Sequence, residues 1–144
     1  MPGHPAELKH MAADLSSFRF ETPAATARGA HVAHVPRGIK SKKDLLLALR
    51  SGLRLPDYFG GNWDALEECL KDLSWIPEKN IVVVHDDVPA LSPKDAWTYL
   101  AILSNAARDW KDGDEHVLEV VFPESAEKVL REKARSVARP ERKP

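Results

Sequence analysis

Residues 55–75 read LPDYFGGNWDALEECLKDLSW, which joins a tight turn to an amphipathic helix. Pro56 and the pair Gly60-Gly61 favour a turn, and Asn62 is a preferred N-cap for a helix that begins at the next residue. Apolar residues then recur at helical spacing along one face. They are Trp63, Leu66, Cys69, Leu70 and Leu73. This stretch therefore predicts a helix that packs one face against a core.

The same helix carries carboxylates at every fourth residue, namely Asp64, Glu68 and Asp72. Like charges at this spacing destabilise a helix by about 0.2–0.5 kcal/mol per pair, and no Lys or Arg follows four residues after any of the three. Asp57 and Tyr58 in the preceding turn add a carboxylate and an aromatic ring near the start of the helix. The pattern favours a binding face, and a merely solvated surface is the alternative interpretation.

Strands and helices alternate on both sides of this stretch. The predicted elements are a strand at 31–35, a helix at 42–51 ending near Gly52, the helix above, a strand at 81–84, a helix from 93 to about 110, a strand at 117–122 and a helix at about 125–136. This order is typical of crossover connections between parallel strands. We expect an α/β fold in which helices pack on a three-stranded parallel sheet.

The length of 144 residues suits a single domain. We expect an N-terminal extension at 1–29 with a short helix at about 7–15, a core domain at 30–122, and a helix with a basic tail at 123–144. No apolar run approaches the ~20 residues of a membrane span, and the N-terminus lacks the apolar stretch of a secretory signal. Cys69, the only cysteine, suits a reducing compartment. A cytoplasmic location is therefore expected.

The formal net charge of -1 hides a segregation of charge along the chain. Residues 55–124 contain fifteen Asp and Glu against five Lys and Arg, a local charge of -10, so the rest of the chain carries +9. A concentrated negative region attracts basic proteins and repels nucleic acid. The expected partner is a basic protein, with neither nucleic acid nor a membrane as a ligand.

The stretch also resembles the motif of a known family. The matching positions are Leu55 to Gly60, Asn62, Asp64 to Leu66, and Cys69-Leu70, and they are similar to the barstar family of intracellular ribonuclease inhibitors. The resemblance implies a barstar-like fold without enzymatic activity, cofactor or metal. It implies an antitoxin or immunity protein that binds stoichiometrically to a basic ribonuclease of the barnase type, or to a related basic protein toxin.

The resemblance also implies a binding site. It places Tyr58, Asn62, Asp64, Glu67, Glu68 and Lys71 at positions that the family uses to block a ribonuclease active site, and the charge pattern adds Asp57 and Asp72. Carboxylates on a rigid helix would occupy the places of RNA phosphates and accept hydrogen bonds from the enzyme's cationic groups. Asp64 and Glu68 are the expected main contacts, and Tyr58 is the expected aromatic anchor. Asn62 is expected to cap the helix more than to contact a partner.

Four positions depart from the family pattern. Glu68 replaces a shorter Asp, Glu67 replaces a Trp, and Lys71 replaces a small neutral residue on the binding face. Asn105 stands where the following helix of the family presents another carboxylate. These changes leave the identity of the partner and the retention of ribonuclease inhibition open.

A metal-dependent hydrolase is the alternative enzymatic hypothesis. His85-Asp86-Asp87 follows a predicted strand at the edge where open α/β sheets place ligands, and His31 or His34 would supply a second ligand. The sequence contains no glycine-rich phosphate loop, no Gly-x-Ser-x-Gly and no His-Glu-x-x-His. A polar turn after a strand is therefore the favoured interpretation of these residues.

An interaction module with a non-nuclease partner is the other alternative. Trp75, Trp97 and Trp110 would then contribute an apolar patch, although tryptophans at helical spacing more commonly belong to a core. A stable homo-oligomer that buries Asp64 to Asp72 would leave no face for an enzyme, and the sequence leaves the oligomeric state open.

Overall fold

The computed structural model describes residues 15–21, 29–56, 60–110 and 114–138, with side chains described as far as residue 132. The strands in these ranges are β1 (Phe18–Phe20), β2 (His31–Val35), β3 (Asn80–His85) and β4 (Val117–Phe122). The helices are α1 (Lys42–Leu53), α2 (Trp63–Asp72), α3 (Pro93–Asp109) and α4 (Ala126–Ala138). Within the same ranges, no helix has both the length and the apolar character that crossing a membrane requires.

Three helices begin at the predicted capping side chains. The oxygens of Ser41, Asn62 and Ser92 accept the backbone N–H three residues on, at 3.1, 2.8 and 3.1 Å. Each cap satisfies an amide that has no partner inside its helix. The predicted starts of α1, α2 and α3 are therefore confirmed.

The predicted end of α1 was two residues too early, because Gly52 does not stop the helix. A Cβ on Gly52 would lie 3.1 Å from the Cβ of Ala33, so the glycine lets α1 pack closely on β2. The helix ends at Leu53 and is capped by Arg54, whose φ of 52° is left-handed and whose N–H points to the carbonyls of Arg50 and Ser51. A glycine at position 52 therefore allows α1 to pack closely on β2 and does not terminate the helix.

All strands in the described ranges are parallel and form one sheet in the order β1-β4-β3-β2. The predicted parallel α/β architecture is confirmed, but the predicted number of three strands was wrong, because β1 adds a fourth by pairing Phe18 with Val120. A strand of three residues is too short for alternation to be recognised. Its signal in the sequence is the pair Phe18 and Phe20 on either side of Arg19, with Phe18 buried in the core.

The main core lies between the sheet and the helices. Every second residue of β3 and β4 faces it, including Ile81, Val83, Leu118 and Val120. The other face of the sheet holds a smaller apolar cluster, Val82, Val84 and Val121. Because β3 is buried on both faces, its sequence contains a continuous apolar run, Ile81 to Val84.

Candidate functional site

The predicted amphipathic character of α2 is confirmed. Leu66, Cys69 and Leu70 are buried against the core, and Leu73, which follows the helix, is also buried. Asp64, Glu68 and Asp72, here named the acidic stripe, are all exposed. The apolar side of α2 therefore fixes the helix on the domain and leaves the acidic stripe facing solvent.

The helix α2 carries four carboxylates and one basic residue, Lys71. Lys71, the last basic residue of the helix, lies 3.5 Å from Glu67, with its Nζ facing Oε2. Among the described residues no cation is ion-paired with Asp64 or Glu68. Exposed ion pairs contribute little, about 0–1 kcal/mol. The face therefore remains negative, with Lys71 at its edge.

The turn before α2 is described in part. Asp57 and Tyr58 lie outside the described residues, so their predicted contacts stay predictions. Gly61 has a φ of +74°, a left-handed conformation that favours glycine. The Oδ1 of Asn62 accepts the Ala65 N–H at 2.8 Å, so its predicted role as a cap is confirmed.

Trp63 fixes the N-terminal end of α2 between two other helices. Its Nε1 donates to the Oδ1 of Asp95 on α3 at 3.3 Å, and its ring centroid lies 6.0 Å from that of Tyr99. On its other side, the Nζ of Lys42 on α1 stands 5.4 Å from the ring centroid, within the range of a cation–π contact. The start of the acidic stripe is thus held by both neighbours of α2.

Two further indoles fix the C-terminal half of α2 and the segment after it. The Nε1 of Trp110 donates to the carbonyl of Leu70 at 2.8 Å, and the Nε1 of Trp75 donates to the carbonyl of Leu53 at 2.9 Å. Both rings pack against the main core, as the sequence predicts for these tryptophans. Trp97 is half-buried and belongs to neither apolar cluster of the described residues. The sequence predicts only that a buried indole N–H needs an acceptor, and it does not identify which carbonyl accepts.

Cys69 lies on the buried side of α2 and is 1% exposed. Burial raises the pKa of its thiol, and the negative charges of Asp72 and Glu68 raise it further. A protonated, buried thiol is a poor nucleophile. Cys69 therefore serves packing, as the sequence predicts.

His85 is completely buried at the end of β3. Its Nδ1–H donates to the carbonyl of Val121 at 3.0 Å, and its Nε2 accepts the Tyr99 hydroxyl at 2.6 Å. Its ring stacks on Phe122 with centroids 3.9 Å apart. Burial lowers the pKa of His85 to about 4, against smaller opposing effects from Val121 and Asp86. Because both ring nitrogens have protein partners, His85 is a structural side chain here.

The other proposed metal ligands do not converge on His85. His34 lies next to Asp86, with Nε2 and Oδ1 2.6 Å apart, while the Nε2 of His31 donates to the carbonyl of Gly52. Asp87 accepts the N–H of Val88. Across the described ranges no three His, Cys, Asp or Glu side chains are arranged to hold a metal ion. The sequence signal for an inward His85 is its even spacing from Ile81 and Val83, which both face the core.

Asn105, which the resemblance aligns with a carboxylate of the family, is half-buried on α3. Its Oδ1 accepts a hydrogen bond from the Nη2 of Arg108 at 3.1 Å. A neutral amide therefore stands at this position, and its oxygen is already engaged within α3.

Comparison with known protein families adds one match. Residues 30–123 match the family described as Barstar (barnase inhibitor), a range that runs from β2 to the end of β4 and includes all of α2. No curated protein matches the chain. Since the family match covers more than half of the 144 residues, this chain belongs to the barstar family.

Proposed function

We propose that this protein is a cytoplasmic inhibitor that binds stoichiometrically to a basic ribonuclease of the barnase type, or to a related basic toxin. The observation that carries the proposal is the acidic stripe, which is exposed and strongly negative on a helix of a barstar-family domain. A cationic enzyme groove that evolved to hold RNA phosphates is complementary to such a face.

The proposed mechanism is substrate mimicry. Asp64 and Glu68 are one helical turn apart, a rise of about 6 Å, and their carboxylates accept hydrogen bonds from Arg, Lys and His groups of the enzyme. Tyr58 is the proposed aromatic anchor, and Asp57, Glu67 and Asp72 extend the contact. The mechanism requires neither a metal nor a cofactor.

The anchoring of α2 supports tight binding. Trp63 and Trp110 bind the helix to α3 through side chain and backbone, so the helix that carries the carboxylates is fixed on the domain before a partner arrives. A rigid binding face loses less conformational entropy on association than a flexible one. The affinity therefore depends on α3 as well as on the carboxylates themselves.

The test is a titration of this protein against a purified barnase-type ribonuclease, with RNA cleavage as the readout. Asp64→Ala and Glu68→Ala remove one carboxylate each, and Glu132→Ala on α4 is the matched control, since it removes an exposed carboxylate from another helix. We expect inhibition at an equal molar ratio by wild type and Glu132→Ala. Each α2 variant should weaken inhibition at least about tenfold, as for a charge-assisted contact.

Two outcomes would count against the proposal in different ways. If wild type does not inhibit any basic ribonuclease tested, the nuclease is the wrong partner and a binding role toward another protein replaces it. If wild type inhibits and both α2 variants inhibit equally well, the acidic stripe is not the binding face.

A further inference from the structure

A second surface of opposite charge lies beside α2. A cavity of about 300 Å³ opens between α1 and the turn before α2. Among the described residues, its lining consists of three cations, Lys42, Lys43 and Arg50, two leucines, Leu46 and Leu47, and the glycines Gly60 and Gly61. No carboxylate lines this cavity among the described residues. We refer to it as the basic pocket.

The composition of the basic pocket follows from one side of α1. One side of α1 carries residues at i, i+4 spacing, namely positions 42, 46 and 50 and positions 43 and 47. Asp44 lies off that side. Residues 30–54 contain six Lys and Arg against this single acidic residue, a local charge of +5. A positive segment therefore directly precedes a region of charge -10.

The cations of the basic pocket have few partners within the described residues. Lys42 stands over the ring of Trp63. Lys43 and Arg50 are exposed, and no described carboxylate is ion-paired with either. Two exposed cations that have no counter-charge among the described residues leave their donors available for an anion at the rim of the cavity.

The leucines give the basic pocket an apolar side. Leu46 is buried, but Leu47 is 52% exposed and is one of three large apolar side chains that face water in the described part of the chain. Gly60 and Gly61 have no side chains to fill the space opposite. An exposed leucine between cations is complementary to a ligand that carries both an anionic and an apolar group.

We propose that the basic pocket binds a small phosphomonoester. The phosphate lies between Lys43 and Arg50, whose guanidinium provides a pair of parallel donors, and the ester group packs on Leu47. A ligand with a single phosphate is favoured over a nucleic acid, because a longer polyanion would meet the acidic region next to the pocket. This proposal does not rest on the acidic stripe or on the proposed inhibition, although Gly60 and Gly61 belong to the turn that also carries Tyr58.

The test is a titration of ¹⁵N-labelled full-length protein with phenyl phosphate and, separately, with inorganic phosphate. Ionic strength is held constant with sodium chloride, and amide chemical shifts are followed. We expect saturable shifts in α1 and at Gly60 and Gly61 with both probes, and tighter binding of phenyl phosphate because its ring contacts Leu47. Shifts that do not saturate, or that sodium chloride alone reproduces, would overturn the proposal.

Variants of exposed residues separate the two halves of the pocket without disturbing the core. Lys43→Gln and Arg50→Gln should each weaken both probes by at least about threefold, the scale of an exposed charge contact. Leu47→Ser should abolish the advantage of phenyl phosphate and leave inorganic phosphate unaffected. Lys128→Gln on α4 is the matched control and should change neither. Unaltered binding in the Lys43→Gln, Arg50→Gln double variant would also refute the site.

Discussion

His85 couples the stability of the domain to pH. The folded protein holds its imidazole neutral, with a pKa lowered to about 4 from an ordinary value of 6.5. An unfolded chain protonates His85 near pH 6.5, so the contribution of this residue is complete above that pH and is lost as the pH falls to about 4. The free energy of unfolding should decrease by about 3 kcal/mol through this residue alone.

Urea unfolding at intervals between pH 4 and pH 7 measures this dependence. A His85→Met variant keeps an apolar side chain of similar volume next to Phe122 but cannot titrate, and its stability should vary less across the same range. If the two proteins show parallel pH profiles, another group is responsible for the effect.

Lys71 is expected to weaken binding to a basic enzyme. Its ammonium lies 3.5 Å from Glu67 and adds a positive charge to the edge of the acidic stripe. Lys71→Ala should therefore tighten inhibition of a basic ribonuclease by a few-fold, the scale of an exposed charge interaction. Inhibition constants measured beside Lys128→Ala, which removes an exposed lysine from α4, check this prediction. Weaker inhibition by Lys71→Ala would show instead that the partner presents a carboxylate to Lys71.

At the scale of the element, the charge pattern of α2 lowers the stability of the helix. Glu68 has a carboxylate four residues before it and another four residues after it. Glu68→Gln relieves both repulsions and should raise the free energy of unfolding by about 0.4–1 kcal/mol, while it weakens inhibition. Chemical denaturation and the inhibition assay together test this opposition.

Glu127 on α4 provides a control for which the expected change in the free energy of unfolding has the opposite sign. It is ion-paired with Arg131 at 2.9 Å, at the favourable i, i+4 spacing. Glu127→Gln should therefore lower the stability by about 0.2–0.5 kcal/mol and leave inhibition unchanged. If both variants shift the stability in the same direction, local charge pairing does not explain either shift.

Local rules predict most elements of this fold. The capping side chains are Ser41, Asn62 and Ser92, and each bonds to the backbone three residues on. Because the partners are close in sequence, these bonds can be predicted from the sequence. The end of α1 and the strand β1 depend on contacts far along the chain, Gly52 with Ala33 and Phe18 with Val120. Such contacts appear only when the elements are assembled, which is why both were mispredicted.

The candidate site also combines features that follow from local sequence with features that depend on contacts between distant residues. The exposure of Asp64, Glu68 and Asp72 follows from the helical period of their apolar neighbours. The attachment of α2 to α3 through Trp63 and Asp95 joins residues 32 positions apart, and no periodicity reveals it. The basic pocket likewise needs α1 and the turn before α2 to be brought together.

Across the whole molecule, charge is segregated, with +5 on residues 30–54 and -10 on residues 55–124. In the proposed complex this field orients the inhibitor as it approaches a basic enzyme. The association rate constant should fall by roughly tenfold or more as ionic strength rises from about 0.01 M to 0.15 M. Stopped-flow measurements test this, and Asp64→Ala, Glu68→Ala double substitution should flatten the salt dependence. A rate that is insensitive to salt would argue against electrostatic steering.

The pairing of β1 with β4 also limits when β1 can join the sheet during synthesis. Phe18 must wait for Val120 to be synthesised before its strand has a neighbour. At translation rates of about 5–20 residues per second, that delay is roughly 5–20 s. During this interval the segment Phe18-Arg19-Phe20 has no neighbouring strand to pair with, so β1 cannot join the sheet before β4 has been synthesised.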